Sequence, residues 1–131
     1  MNTKELGDLG EKNACEYLVE KGYKIIGRNY RIKFGEIDII AKKKRKLFVK
    51  NDKTIHFVEV KTIIDSGRDF YPEDHVDFKK KRKLVQMAKI WLSKNNYPQD
   101  FPYQIDIIGI LVDENSTKTE VSYFQNAVEE K

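Results

Sequence analysis

The chain has 131 residues, 40% apolar and 35% charged, with 25 basic against 21 acidic residues and a formal net charge of +4. That length predicts a single domain over 1–131, with room for one core rather than two. The lone cysteine, Cys15, excludes an internal disulfide framework and suits a reducing compartment. No run reaches the roughly 20 apolar residues of a membrane span, and Met1-Asn2-Thr3-Lys4-Glu5 lacks the apolar stretch of a signal peptide. A cytoplasmic protein with no membrane partner is expected.

The first predicted element is a helix capped by Thr3, with Leu6, Leu9, Ala14, Tyr17 and Leu18 as its apolar stripe and Gly22 at its end. Glu11 falls on the edge of that stripe, beside Gly7, Ala14 and Leu18. Gly7 and Gly10 each cost a helix roughly 1 kcal/mol relative to Ala, which predicts a close approach to the backbone there. Tyr23 to Ile32 reads as a strand kinked near Gly27. A second strand opens at Gly35, runs through Ile40 and extends as an arm toward Leu47-Phe48-Val49. Asn51-Asp52-Lys53 supplies a turn, and Thr54 to Thr62 the returning strand. Ile63 to Asp74, with Gly67 and Pro72, reads as a loop. A second helix spans about Asp77 to Asn95, with Leu84, Met87, Ala88, Trp91 and Leu92 inward. Tyr103 to Val112 is an apolar strand interrupted by Asp106, and Glu120 to Phe124 is a final edge strand. The order α-β-β-β-α-β-β predicts an α/β fold with a mixed central sheet flanked by helices.

Two of these strands carry acids inside apolar, β-branched runs, Gly35-Glu36-Ile37-Asp38-Ile39-Ile40 and Phe57-Val58-Glu59-Val60-Lys61. A carboxylate in such a run is costly without a cation or a role. Alternation puts Glu36 and Asp38 on one face, with Ile37 and Ile39 opposite, and Glu59 with Lys61 on one face of the next strand. A hairpin makes the two strands neighbours. An acid followed by acid-x-lysine then suits a phosphodiesterase centre in which Asp38 and Glu59 hold Mg²⁺. Lys61 would position water or stabilise a developing oxyanion. The same four residues also fit cross-strand ion pairs on a solvated sheet face. Their concentration in two apolar strands, with Glu11 near by, favours the metal centre.

The basic residues cluster in two blocks, Lys42-Lys43-Lys44-Arg45-Lys46 and Lys79-Lys80-Lys81-Arg82-Lys83. Such clustering points to a polyanionic partner. The second block lies in the first turns of a helix, where the macrodipole disfavours cations and phosphates would offset the cost. Lys80 shares the stripe of Leu84, Met87 and Trp91 and leans toward the acids. Lys79, Lys80 and Lys83, with Lys42, Lys43, Lys44 and Arg45, are therefore the candidate nucleic-acid contacts. Trp91 and Phe78 read as core, and His56 and His75 have no metal-ligand spacing.

The chain resembles the YraN-like family of bacterial proteins, regarded as endonucleases of the restriction-endonuclease-like, PD-(D/E)xK type. The resemblance rests on Gly7-Asp8-Leu9-Gly10-Glu11, Ala14, Tyr17-Leu18, Gly22-Tyr23, Arg28-Asn29-Tyr30-Arg31, Gly35 to Ala41, Phe57 to Thr62, Lys80, Lys83, Ala88, Trp91-Leu92 and Asp106. It implies a restriction-endonuclease-like core and a nuclease acting on DNA, branched DNA included. In the wider superfamily, which includes archaeal-type Holliday junction resolvases, the metal-binding acids correspond to Asp38 and Glu59 and the motif lysine to Lys61. The Val60 carbonyl is a further ligand, Glu11 and Glu36 are accessory acids, and Mg²⁺ or Mn²⁺ is the cofactor. Resolvase-like relatives are commonly dimers, so a homodimer is an expectation of the resemblance, although no self-complementary apolar stripe points to one. The chain departs from the family at Ile63 and Gln104, where arginine is usual, and in a longer connection from Asp38 to Glu59. Two rivals to the nuclease stay open: a nucleic-acid-binding module that cuts nothing, and a protein-interaction subunit whose acids are structural.

Overall fold

Two apolar stripes on helices and a sheet apolar on both faces dictate three layers. The computed structural model describes residues 2–46, 51–65, 78–113, 115–116 and 118–128. Its elements are α1 (Thr3–Glu20), β1 (Tyr23–Ile32), β2 (Gly35–Lys43), β3 (Ile55–Asp65), α2 (Phe78–Lys94), β4 (Tyr103–Asp113) and β5 (Thr119–Val128). The predicted order holds, and with it the mixed central sheet flanked by helices. The strands lie in the order β1-β2-β3-β4-β5, antiparallel throughout except for the parallel pair β3 and β4. The connection containing α2 joins that parallel pair, as a parallel pair requires.

One face of the sheet packs Ile37, Ile40, Ile55, Phe57, Ile105 and Ile107 against Leu84, Met87, Ala88, Trp91 and Leu92 of α2. The other packs Ile39, Ala41, Val58, Ile108 and Ile110 under Ala14 and Leu18 of α1. Trp91 is core, as expected, edge-on to Phe57 and stacked on Tyr97. The kink expected at Gly27 is a register shift between Ile25 and Gly27.

Several expectations are corrected. Asn2, not Thr3, caps α1, its side-chain oxygen accepting from Glu5 N at 2.8 Å. Asn2 supplies the acceptor from the position before the helix, so Thr3 becomes the first helical residue. Of the two helical glycines, only Gly10 marks a close approach: a Cβ there would meet Thr62 Oγ1 at 1.7 Å, whereas one at Gly7 would meet nothing within 4 Å. β3 runs on to Asp65, so Ile63, Ile64 and Asp65 are strand and not loop, held by pairing with Leu111, Val112 and Asp113 of β4. β4 extends to Asp113 and β5 spans Thr119–Val128, longer than the predicted edge strand. The arm at Leu47-Phe48-Val49, most of the predicted loop and the side chains of Phe78 and Lys79 lie outside the described residues.

A candidate metal centre

The alternation expected of β2 breaks at Asp38. Ile37 packs on the α2 side and Ile39 on the α1 side, so these two do not share a face. At this level β2 and β3 part, pairing only from Ile39↔Val58 to Lys42↔Ile55, and the neighbouring β1 has Asn29 in a left-handed conformation. Asp38 stands where the strands separate, and its Oδ2 accepts the Val60 N–H at 2.8 Å, a bond the ladder would otherwise have supplied. β3 keeps its alternation: Val58 is buried beneath α1, while Glu59 turns toward α2 and forms an ion pair with Lys80.

The opening between β2, β3 and α1 is a cavity of about 430 Å³. It is lined by Glu11 and Gly7 of α1, Glu36 and Asp38 of β2, Glu59, Val60, Lys61 and Thr62 of β3, and Lys80 of α2. Close packing of α1 at Gly10 brings Glu11 over the strands. Carboxylate oxygens of Glu11, Glu36 and Asp38 lie within 4.8 Å of one another.

Crowding acids in a half-buried cleft has an electrostatic cost. Burial, and then the charge of Glu59 with those of Glu11 and Glu36, pushes the Asp38 carboxyl up to about 8, against which the Val60 N–H works. Burial also raises Glu11, with Glu36 and Asp8 adding to the effect and Arg28 opposing it. The cations that answer this charge stand at the rim. Arg28 lies 4.0 Å from Glu11, Arg31 lies 3.4 Å from Glu36, and Lys80 lies on Glu59. Among the ion pairs of the described residues none reaches Asp38, the most strongly perturbed acid. Hard oxygen donors, excess negative charge and an acid that stays protonated without a cation fit a Mg²⁺- or Mn²⁺-sized ion.

The predicted residues thus separate into groups. Glu11, Glu36, Asp38, Glu59, Val60, Lys61 and Lys80 come together around one cavity; carboxylate oxygens of Glu11, Glu36 and Asp38 lie at ligand spacing from one another, and Glu59 is the acid whose charge acts most on Asp38. Val60 contacts Asp38 through its N–H. Lys83 lies on α2 beside the next groove. Lys42, Lys43, Lys44 and Arg45 are not at the acids. Lys42 stands four residues beyond Asp38 on β2, about 13 Å away along the strand. There they line a separate cavity of about 730 Å³ with Lys24, Tyr97 and Phe101. Lys43 is paired with Asp52 at 3.4 Å.

Two contributors escape a reading of the sequence. Asn29, at φ 51°, donates its amide to Glu11 Oε1 and Glu36 Oε1, each at 3.0 Å with the amide nitrogen facing them. Arg28 reaches Glu11 from the same stretch of β1. The available signal was an asparagine, tolerant of left-handed backbone, two residues after a bulge glycine.

A second buried acid is built in a different way. Asp106 is sealed from solvent and accepts from His56 Nδ1 at 2.7 Å, Gln104 Nε2 at 2.8 Å, Asn126 N at 2.8 Å and the Tyr123 hydroxyl. Burial works against its ionisation, yet these bonds outweigh it and hold the carboxyl below its ordinary range. His56, which the sequence left without a role, is thus the buried partner of Asp106. Gln104 supplies a hydrogen bond to Asp106 but brings no charge.

Comparison with known proteins gives the family. The model of the uncharacterised protein family UPF0102 matches residues 10–110, which contain Glu11, Glu36, Asp38, Glu59 and Asp106. A UPF0102 protein of Clostridioides difficile is 44% identical over 111 residues, covering 84% of this chain and 88% of that protein. One from Caldanaerobacter subterraneus is 38% identical over 128 residues, 97% of each chain. Among solved structures, Pyrococcus furiosus SfsA in complex with Ca²⁺ is similar at 15% identity and a TM-score of 0.39, over 98% of this chain and 66% of that one. That likeness is too distant to bear on chemistry. Matched over most of its length by the family model and by full-length relatives, the chain belongs to the uncharacterised protein family UPF0102, the YraN family.

Proposed function

We propose that this protein is a Mg²⁺- or Mn²⁺-dependent nuclease that hydrolyses phosphodiester bonds of DNA. The observation that carries the reading is the convergence of four carboxylates from α1, β2 and β3 on one cavity that also holds two lysines. Asp38 and Glu59 would hold the metal, with Glu11, Glu36 and the Val60 carbonyl as further oxygen donors. A divalent ion bound there supplies charge neutralisation at a phosphate and a water acidic enough to attack it. Lys61 extends from the strand that carries Glu59 and orients that water or stabilises the developing oxyanion. Asn29 fixes Glu11 and Glu36 relative to each other. Lys80 is paired with Glu59, and a divalent ion held there would compete with it for that carboxylate.

The distribution of cations supports a nucleic-acid partner. Lys24 and Lys42 are register partners across β1 and β2, a like-charge pairing that costs stability and that a phosphate backbone relieves. With Lys80 and Lys83 by the acids and Lys42 to Arg45 at the far end of the sheet, the cations suit a substrate longer than one nucleotide.

The test is a panel of linear, nicked, flapped and four-way DNAs incubated with Mg²⁺ or Mn²⁺, with Glu59→Gln as the control for contaminating nuclease. Cleavage by the parent and none by Glu59→Gln is expected. In single turnover, Lys61→Ala should lose about 10² in rate while binding DNA in Ca²⁺ within a few-fold of the parent. Parallel loss of binding and cleavage would make the lysine an anchoring partner instead.

One contact favours a second reading, a nucleic-acid-binding module that cuts nothing. Lys80 already gives Glu59 an internal cation. Lys80→Ala separates the two readings. A nuclease whose lysine yields to metal should bind Mn²⁺ more tightly in the variant, whereas a module should show no cleavage and no Mn²⁺ binding in either form.

A further inference from the structure

The β1–β2 hairpin closes through two residues, Lys33 and Phe34, between the register partners Ile32 and Gly35. Two-residue hairpin loops favour Asn, Asp or Gly at these positions. Phe34 meets none of the turn's needs and is 60% exposed, the most exposed large apolar side chain among the described residues. A single exposed aromatic is unremarkable by itself. Its setting gives it meaning. Phe34 forms one wall of a groove of about 370 Å³, with Leu84 and Met87 of α2 opposite. The tip is docked closely on that helix, since a Cβ at Gly35 would lie 3.2 Å from Met87 Sδ.

The groove is continuous with the metal cavity, because Glu36 and Lys80 line both. The exposed Lys83 lines it, and the exposed Lys33 immediately precedes Phe34 in the turn. An aromatic ring and apolar floor, cations at the rim and a cluster of acids one step away together match one ligand chemistry. A flat, uncharged ring attached to an anionic backbone would lay the ring on Phe34 and its phosphates near the lysines.

We propose that Phe34 is a stacking platform for an unpaired nucleobase next to the phosphate held at the acids, and that it selects DNA in which such a base is available. A base within a perfect duplex is already stacked on its neighbours and gains little here. A base at a bulge, flap or branch has an open face. The position of the phosphate rests on the nuclease reading, whereas the stacking does not require cleavage.

The full chain in Ca²⁺ is titrated with duplexes that carry one 2-aminopurine, either unpaired at successive positions or fully paired. Quenching confined to one or two unpaired positions is expected, lost in Phe34→Ala and retained in Phe34→Trp. Affinity for the unpaired substrate should fall about 5- to 150-fold in Phe34→Ala, the range for one base–aromatic stack, with Mn²⁺ binding unchanged. Equal quenching at all positions, or equal affinity of parent and Phe34→Ala, overturns the proposal. So does a sedimenting dimer that Phe34→Ala splits without any base signal, which would assign the groove to a second copy of the chain. Position-specific stacking with no cleavage under any metal would sink the nuclease reading and leave this proposal standing. Cleavage without stacking would do the reverse.

Discussion

Asp38 and Asp106 are strand aspartates in the same sheet, and burial presses on both. Around Asp106 the fold has assembled four donors, from His56, Gln104, Asn126 and Tyr123, and the carboxylate ionises below its ordinary range. Around Asp38 it has assembled one donor, Val60 N–H, and three further acids, and the carboxyl is pushed up to about 8. A structural acid is satisfied by its surroundings, whereas the surroundings of Asp38 ask for a cation from outside. A strongly perturbed acid in a cleft is a candidate functional group, and the contrast within one sheet is what singles out Asp38 as that candidate.

The largest effect that could break this comparison is on stability. Asp106→Ala removes the shared acceptor of four donors and should cost about 3–5 kcal/mol, as for breaking a buried charged network. Asp38→Asn relieves repulsion and should leave the metal-free thermal midpoint at pH 8 unchanged or raised. If Asp38→Asn unfolds the protein as readily as Asp106→Ala, Asp38 is a structural acid too.

The pH dependence separates the two with opposite signs. The folded value of Asp106 lies below its ordinary 3.8, so its contribution is complete above that value and is lost as the pH falls through the folded value. The folded value of Asp38 is about 8 against an ordinary 3.8, so the folded state holds an extra proton. Metal-free protein should lose stability on this account as the pH rises from about 4 to about 8. Thermal midpoints of parent and Asp38→Asn across that window should converge at low pH and separate at high pH. Parallel curves would remove Asp38 as the origin.

A smaller effect tests what holds α1 over the acids. Gly10→Ala would drive a methyl into Thr62 and should cost about 1–3 kcal/mol, as overpacking does. Gly7→Ala meets no atom within 4 Å and should stabilise the helix by up to about 1 kcal/mol. Denaturant midpoints of the two variants should therefore move in opposite directions.

Much of this was legible in the sequence because it is local. Period-two alternation gave β3 and the face shared by Glu59 and Lys61, and the helical stripe put Glu11 at its edge. What escaped reading is non-local. Nothing in Glu36 to Ile40 tells that β2 leaves β3 at Asp38, so alternation misassigned Ile37. His56 and Asp106 are fifty residues apart and meet only because β3 and β4 pair in parallel. Basic composition identified the Lys42 block but not its end of the sheet, which the β2–β3 register decides. Asn29 bridges two acids from a left-handed backbone position that no periodicity predicts.

The central claim, that the acids around Asp38 form a divalent-metal site, is tested most directly by calorimetric titration with Mn²⁺ near pH 7 in two buffers of different ionisation enthalpy. The account predicts saturable binding whose apparent enthalpy differs between the buffers, because the Asp38 proton is released as metal enters, and loss of that binding in Asp38→Asn. Saturable binding that Asp38→Asn leaves intact, or no binding by the parent, would contradict it.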